Sequence, residues 1–109
     1  MNDLDKIKQV AMKAAKEAGE VLLQHFKQVR TDEVHQKTVD GHQSPVTDWD
    51  LTANEIIKRY VNENFPDHDI LSEEAPFEDN IGKWVWVVDP LDGTHNYINQ
   101  DPLWGVSIA

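Results

Sequence analysis

Residues 84–97 read Trp-Val-Trp-Val-Val-Asp-Pro-Leu-Asp-Gly-Thr-His-Asn-Tyr, an unbroken apolar run that stops at two carboxylates, a glycine and a threonine. Trp84 to Val88 is β-favouring with no polar alternation, which predicts a strand covered on both faces. Pro90 lacks an N–H and has a fixed φ, so the chain is expected to leave the sheet sharply while Asp89 and Asp92 stay near the strand end. Ionised acids facing each other in such a place repel, and desolvation worsens this, so pairs of this kind usually hold a cation between them. Gly93-Thr94 can open a helix or tight turn whose free N–H groups would receive an anion. A cation site touching an anion site is what hydrolysis of a phosphate ester needs. The same Asp-Pro-Leu-Asp-Gly string reads equally well as a plain turn, because Asp, Pro and Gly are the commonest turn formers.

The rest of the chain predicts what surrounds that strand. Leu4, Ile7, Val10, Ala11, Ala14, Ala15, Ala18, Val21, Leu22, His25 and Phe26 recur at helical spacing, giving a long amphipathic helix over about 3–29. Residues 30–46 are polar and contain Gly41 and Pro45, and read as a loop or a pair of short strands. A second helix starts at Thr47, carries Leu51, Ile56, Ile57, Tyr60, Val61 and Phe65 on its apolar face, and is stopped by Pro66. Asp69 to Ser72 forms a short strand ending at Glu73-Glu74, Ala75 to Lys83 a loop, and a last strand begins near Trp104. Helix, loop, helix and three strands make a layered α/β arrangement. The chain stops at Ala109 inside an apolar strand, and the expectation is a truncated chain.

The 109 residues allow one small domain or a piece of a larger one. The net charge is −10, from 20 acids against 10 Lys and Arg, and no basic cluster is visible, which argues against a nucleic-acid partner. With no cysteine, disulfides, thiolate nucleophiles and zinc-thiolate sites are excluded. The acidic, amphipathic start is unlike a targeting peptide, and no apolar run approaches the roughly 20 residues that span a bilayer. A cytoplasmic protein with no membrane partner is expected.

Asp89 and Asp92, with the Leu91 carbonyl between them, form a set of hard oxygen ligands suited to Mg²⁺, which keeps several of its waters. Glu73 would supply a third carboxylate to a two-metal site if its strand neighbours that of Asp89; in isolation it reads better as a solvated loop acid. Glu74 points to the other side of an extended chain. Thr47-x-x-Asp50 reads first as a capping-box variant, and a functional Asp50 requires that helix N-terminus to face the same cleft. Asp48 is an alternative cap that would leave Asp50 free. Thr94 is either an N-cap hydroxyl or a group that binds phosphate or orients water. His95 need not face the site, and His25, His35, His42 and His68 have no metal-ligand spacing. Trp84, Trp86 and Trp104 are most simply core and cover.

Taken together, Ser44-Pro45-Val46-Thr47-Asp48-Trp49-Asp50, Leu71-Ser72-Glu73-Glu74, Trp86 through Tyr97 and Pro102 through Ala109 resemble the inositol monophosphatase family of Mg²⁺-dependent, lithium-sensitive phosphatases. The resemblance implies the amino-terminal portion of an αβαβα sandwich of the sugar-phosphatase type. By that analogy Glu73, Asp89 and the Leu91 carbonyl would hold one metal, and Asp89 and Asp92 would help hold a second. Asp50 and Thr94 would polarise the attacking water, with Glu73 holding a third metal's water. Gly93 and Thr94 would receive the phosphate through backbone N–H groups assisted by the helix dipole, and Lys37 would match a loop lysine near it. The implied substrate is a small phosphorylated polyol or sugar: inositol monophosphate first, then fructose bisphosphate or a phosphorylated nucleotide. Asn96 after Gly-Thr-His favours the inositol branch over the nucleotidase branch. Family members are longer and carry another metal-binding aspartate in a second half with no match here. Self-association as a homodimer, or a role as a non-catalytic metal- or phosphate-binding fragment, completes the set of expectations.

Overall fold

The computed structural model describes residues 3–28, 34–39, 42–72 and 84–109. Their order is α1 (Asp3–His25), β1 (Val34–Val39), β2 (His42–Thr47), α2 (Asp48–Asn64), β3 (Asp69–Ser72), β4 (Val85–Asp92), α3 (Thr94–Ile98) and β5 (Gly105–Ile108).

Two rows of residues spaced by four bring the long helices together. Val10, Ala14, Ala18 and Leu22 are buried on α1, and Ala53, Ile57 and Val61 on α2. Small side chains on α1 let its row settle between the bulkier ones of α2, the ridge-into-groove packing of i±4 rows. At the solvent edge of this pair the Arg59 guanidinium meets Glu17 at 2.8 Å. Both side chains are well exposed there, so the bridge orients more than it stabilises. The helix expected over 3–29 ends at His25, and the chain turns out through Lys27 in the left-handed region (φ 68°). The second helix begins as its sequence requires. Thr47 is the N-cap, and Asn64 is its last residue, two before Pro66.

Residues 34–47 resolve the open choice between loop and strands. β1 and β2 form an antiparallel hairpin, with Val34 opposite Thr47 and Val39 opposite His42. β3, β4 and β5 form a second sheet in that order, β3 parallel and β5 antiparallel to β4. Trp86, Val88, Pro90 and Leu91 enter the core beneath α2, with Val106 and Ile108 of β5 packed against it. The expectation of a strand covered on both faces fails for the described residues. Val87 is 49% exposed, and Asp92 on the same side faces solvent.

A further correction concerns Pro90. The chain does not leave the sheet there; β4 continues to Asp92. Asp89 lies opposite Ser107 and Asp92 opposite Gly105, so Pro90 and Leu91 together oppose Val106 alone. This is a β-bulge, one of the few places inside a sheet that accepts a proline.

Candidate active site

The bulge decides where the two carboxylates go. Side chains alternate along a strand, so residues three apart should face opposite ways. Cross-strand partners share a face, and Ser107 and Gly105 are two apart. Asp89 and Asp92, registered against them, therefore project to the same face of the sheet. The burial pattern slips in step, with Pro90 and Leu91 buried in succession before Asp92 emerges. One extra residue converts a pair that would diverge into a pair that converges.

Leu91 anchors this geometry. Its side chain lies in the core, while its carbonyl accepts a hydrogen bond from Thr94 Oγ1 at 3.1 Å. The same hydroxyl donates to Asp50 Oδ2 at 3.0 Å. It has one proton and two acceptors, so its lone pairs remain available to a third group. Asp50 is fully buried although ionisable. Its Oδ1 accepts from the Thr47 backbone N–H at 2.8 Å and from the Thr47 hydroxyl at 2.5 Å, and its own N–H donates to Thr47 Oγ1 at 3.2 Å. The capping-box and functional readings of Asp50 are thus compatible: one oxygen caps α2 while the other reaches Thr94, 44 residues further along the chain. Asp48 is not the cap; its carboxylate meets His35 Nε2 at 2.7 Å, tying the hairpin to the start of α2.

Gly93 adopts φ 87° and ψ 41°, a conformation that favours glycine, and a Cβ there would stand 2.8 Å from the Leu103 carbonyl oxygen. It caps α3, which has five residues, so the backbone N–H groups of its first turn rather than a helix macrodipole are what it offers an anion. That corrects the dipole expectation, since so few aligned peptides sum to little. An open depression of about 490 Å³ adjoins this turn, lined by Asp92, Gly93, Asn96, Leu103 and Trp104 among others. His95 is exposed on α3, as expected of a residue outside the site.

Two interactions that sequence reading missed support the site. The fully buried Tyr97 hydroxyl donates to the Leu22 carbonyl at 2.6 Å, pinning α3 to the last turn of α1. Ser72 Oγ donates to Asn54 Oδ1 at 2.6 Å in the core. Tyr97 and Ser72 sit at strongly β-type or helix-end positions that periodicity alone treats as filler. Trp49, beside Asp50, stacks on His25 with ring centroids 3.5 Å apart.

Asp89, the Leu91 carbonyl and Asp92 are an all-oxygen set, the chemistry of a hard divalent cation. Among the described residues no three acidic or histidine side chains gather as a complete metal cage. Glu73 and Glu74 lie outside the described residues, as does the side chain of Lys37, whose backbone pairs with Ser44 in the hairpin. The donors present fit a cation that keeps part of its water shell. Nor is any helix among the described residues long and apolar enough to cross a membrane.

Several known proteins resemble this chain in sequence and fold. The chain is 38% identical over its whole length to the fructose-1,6-bisphosphatase/inositol-1-monophosphatase of Aquifex aeolicus, covering 40% of that protein. It is 36% identical over 101 residues to a histidinol-phosphatase of Chlorobaculum parvum, covering 93% of this chain and 38% of the relative. Among solved structures, an IMPase from Thermotoga maritima superposes with a TM-score of 0.79 at 30% identity, over 96% of this chain and 39% of that one. The chain therefore spans about two-fifths of the length of these relatives, and its fold corresponds to an amino-terminal portion of their α/β sandwich. Residues 3–109 match the inositol monophosphatase family, and the chain belongs to it.

Proposed function

We infer that this chain carries the metal- and water-handling part of a Mg²⁺-dependent phosphomonoesterase acting on a small phosphorylated polyol or sugar. The observation that supports it most is the 3.0 Å bond from Thr94 to Asp50 beside the bulge that turns Asp89 and Asp92 to one face. The family relatives named as phosphatases support the reaction class.

Asp89, the Leu91 carbonyl and Asp92 would hold Mg²⁺, with Glu73 as a further ligand. The chemistry such a cation would supply there is a lowered pKa of water and neutralisation of charge on the ester. Thr94, donating its proton toward Asp50, presents its oxygen lone pairs to an incoming water. Water then passes a proton to Thr94 as Thr94 passes its own to Asp50. The N–H groups of Gly93 and Thr94 receive phosphate oxygens, and Lys37 adds positive charge. Water attacks in line with the leaving oxygen, which departs as an alkoxide and takes its proton from solvent, so no phosphoenzyme forms and no cysteine nucleophile is needed.

Inositol monophosphate is the first substrate, because Asn96 follows Gly-Thr-His in the inositol pattern. The double name of the Aquifex relative makes fructose 1,6-bisphosphate the second. The test is phosphate release from inositol 1-phosphate, fructose 1,6-bisphosphate and histidinol phosphate, with Mg²⁺, with added Li⁺, and with Asp92→Asn as control. Lithium-sensitive release that the folded variant lacks is the expected result. Near-normal turnover by Asp92→Asn would overturn the assignment of the site. A folded wild type that binds Mg²⁺ but releases nothing would make the chain a non-catalytic metal-binding piece.

A further inference from the structure

Asn54 and Ser72 are buried polar side chains to which the reaction above gives no task. Each stands one step from the site, on a different element. Asn54 follows Asp50 by four residues, so it lies one turn along the same face of α2. Ser72 ends β3, directly precedes Glu73 in sequence, and pairs in register with Val88, the residue before Asp89. The 2.6 Å bond from Ser72 Oγ to Asn54 Oδ1 therefore joins the helix that carries Asp50 to the carboxyl end of β3, beside the middle of the parallel strand β4.

Stability alone gives weak reason for this pair. A buried hydroxyl and amide must be desolvated before they bond, and apolar groups of the same shape can replace both partners at little loss. What apolar groups lack is direction. The apolar packing of the core residues beside it, Ala53, Ile57 and Val61, would survive a small slide of α2 along its axis. A 2.6 Å hydrogen bond would not.

We propose that Asn54 and Ser72 are a positioning pair. Their bond fixes the axial placement of α2 against the carboxyl end of β3 and the middle of β4. It so sets Asp50 and, through the Thr94 hydroxyl that bonds both Asp50 and the Leu91 carbonyl, the Leu91 oxygen relative to the carboxylates of Asp89 and Asp92. This rests on the phosphatase reading, since that spacing matters only if those groups act on one bound cation and ester. Neither residue touches the reacting atoms.

Terbium(III), a hard oxygen-seeking cation excited through Trp104, which lines the depression beside Asp92, reports on the site without any turnover. The full chain is titrated as wild type, Ser72→Ala, Asn54→Leu, the double variant, Ser72→Thr and Asp92→Asn. Thermal unfolding of each is recorded without cation. Ser72→Ala and Asn54→Leu are expected to weaken binding by about tenfold, the lower end for residues that support metal ligands. The double variant should be no weaker than either single one, and Ser72→Thr, which keeps the donor, should bind as wild type does. A lowered melting temperature with unchanged terbium affinity in both single variants overturns the positioning role and leaves the phosphatase reading intact. Wild-type binding that Asp92→Asn does not diminish overturns that reading, and the proposal with it.

Discussion

Trp86 and Asp89 lie three residues apart on β4, yet their surroundings differ in kind. Around the amino end of the strand stand rings. Phe65 and His68 stack with centroids 4.5 Å apart, Trp84 and Trp86 flank His68, and the Lys6 ammonium sits 5.0 Å from the Phe65 ring centre. One directional contact threads this cluster, the Trp86 indole N–H donating to His68 Nδ1 at 3.0 Å. Around the carboxyl end stand a bulge, a left-handed glycine and the hydroxyls of Thr47 and Thr94 bonded to the Asp50 carboxylate. Rings cover area and can repack, so what the first end asks of a residue is volume. The second end asks for the right atom at the right angle. Variants at the aromatic end should therefore follow size, and variants at the acidic end should respond to chemistry at constant size.

Trp86→Ala carries the largest expected effect, a loss of about 3–5 kcal/mol in urea unfolding, as for a large buried aromatic. Trp86→Phe keeps most of the volume and should lose far less. If the two variants are equally damaging, the bond to His68 dominates and the contrast between the ends collapses. Thr94→Val is the counterpart at constant size. In the phosphate-release assay it should lower the rate by about 100-fold, the scale of a lost proton-transfer group, while stability falls by about 1–2 kcal/mol for the missing donor to Asp50. Thr94→Ser should keep most activity. A Thr94→Val protein as active as wild type would remove Thr94 from the reaction.

Gly93→Ala comes next, at about 2 kcal/mol, because it meets both a positive φ and a backbone oxygen. Gly93→Asn separates the two causes. Asparagine tolerates the left-handed region but still brings a Cβ to within 2.8 Å of the Leu103 carbonyl oxygen. Equal losses for the two variants would assign the effect to the close approach; a much smaller loss for Asn would assign it to φ.

What the sequence disclosed divides along the same line. Helical periodicity located α1 and α2: the buried row at 10, 14, 18 and 22 lies on the expected stripe of α1, and Ile57 and Val61 on that of α2. Leu51 of the same expected stripe is instead 42% exposed, and Ala53, outside the expected set, completes the buried row. Thr47-x-x-Asp50 announced a capping box because that motif is local, closing within one turn. The hairpin was also within reach: β1 and β2 are separated by Asp40-Gly41, a dipeptide favoured in two-residue hairpin loops. The bulge was not, because Pro90 forbids a ladder bond in a straight strand and permits one residue of slack only when a partner strand supplies the register. The pairing of Thr94 with Asp50 was legible only through the family resemblance, and the contacts between Tyr97 and Leu22 or Ser72 and Asn54 not at all. They connect residues 44, 75 and 18 positions apart, and no spacing rule reaches across a fold.

Tyr97→Phe gives the finest test of the comparison, since it deletes one oxygen and leaves the ring. The Leu22 carbonyl belongs to the last turn of α1, where the next turn that would have supplied an N–H is missing. The Phe26 N–H, four residues on, instead bonds Leu23, and the Tyr97 hydroxyl takes its place at Leu22. Because that carbonyl is buried beneath a fully enclosed ring, removing the hydroxyl strands it, and about 1–2 kcal/mol of stability should be lost in urea unfolding. Trp84→Phe, a larger change in volume at a half-exposed position of the aromatic end, should lose less. If Trp84→Phe proves the more damaging of the two, volume governs both ends of β4, and the acidic end has no special demand for particular atoms beyond its carboxylates.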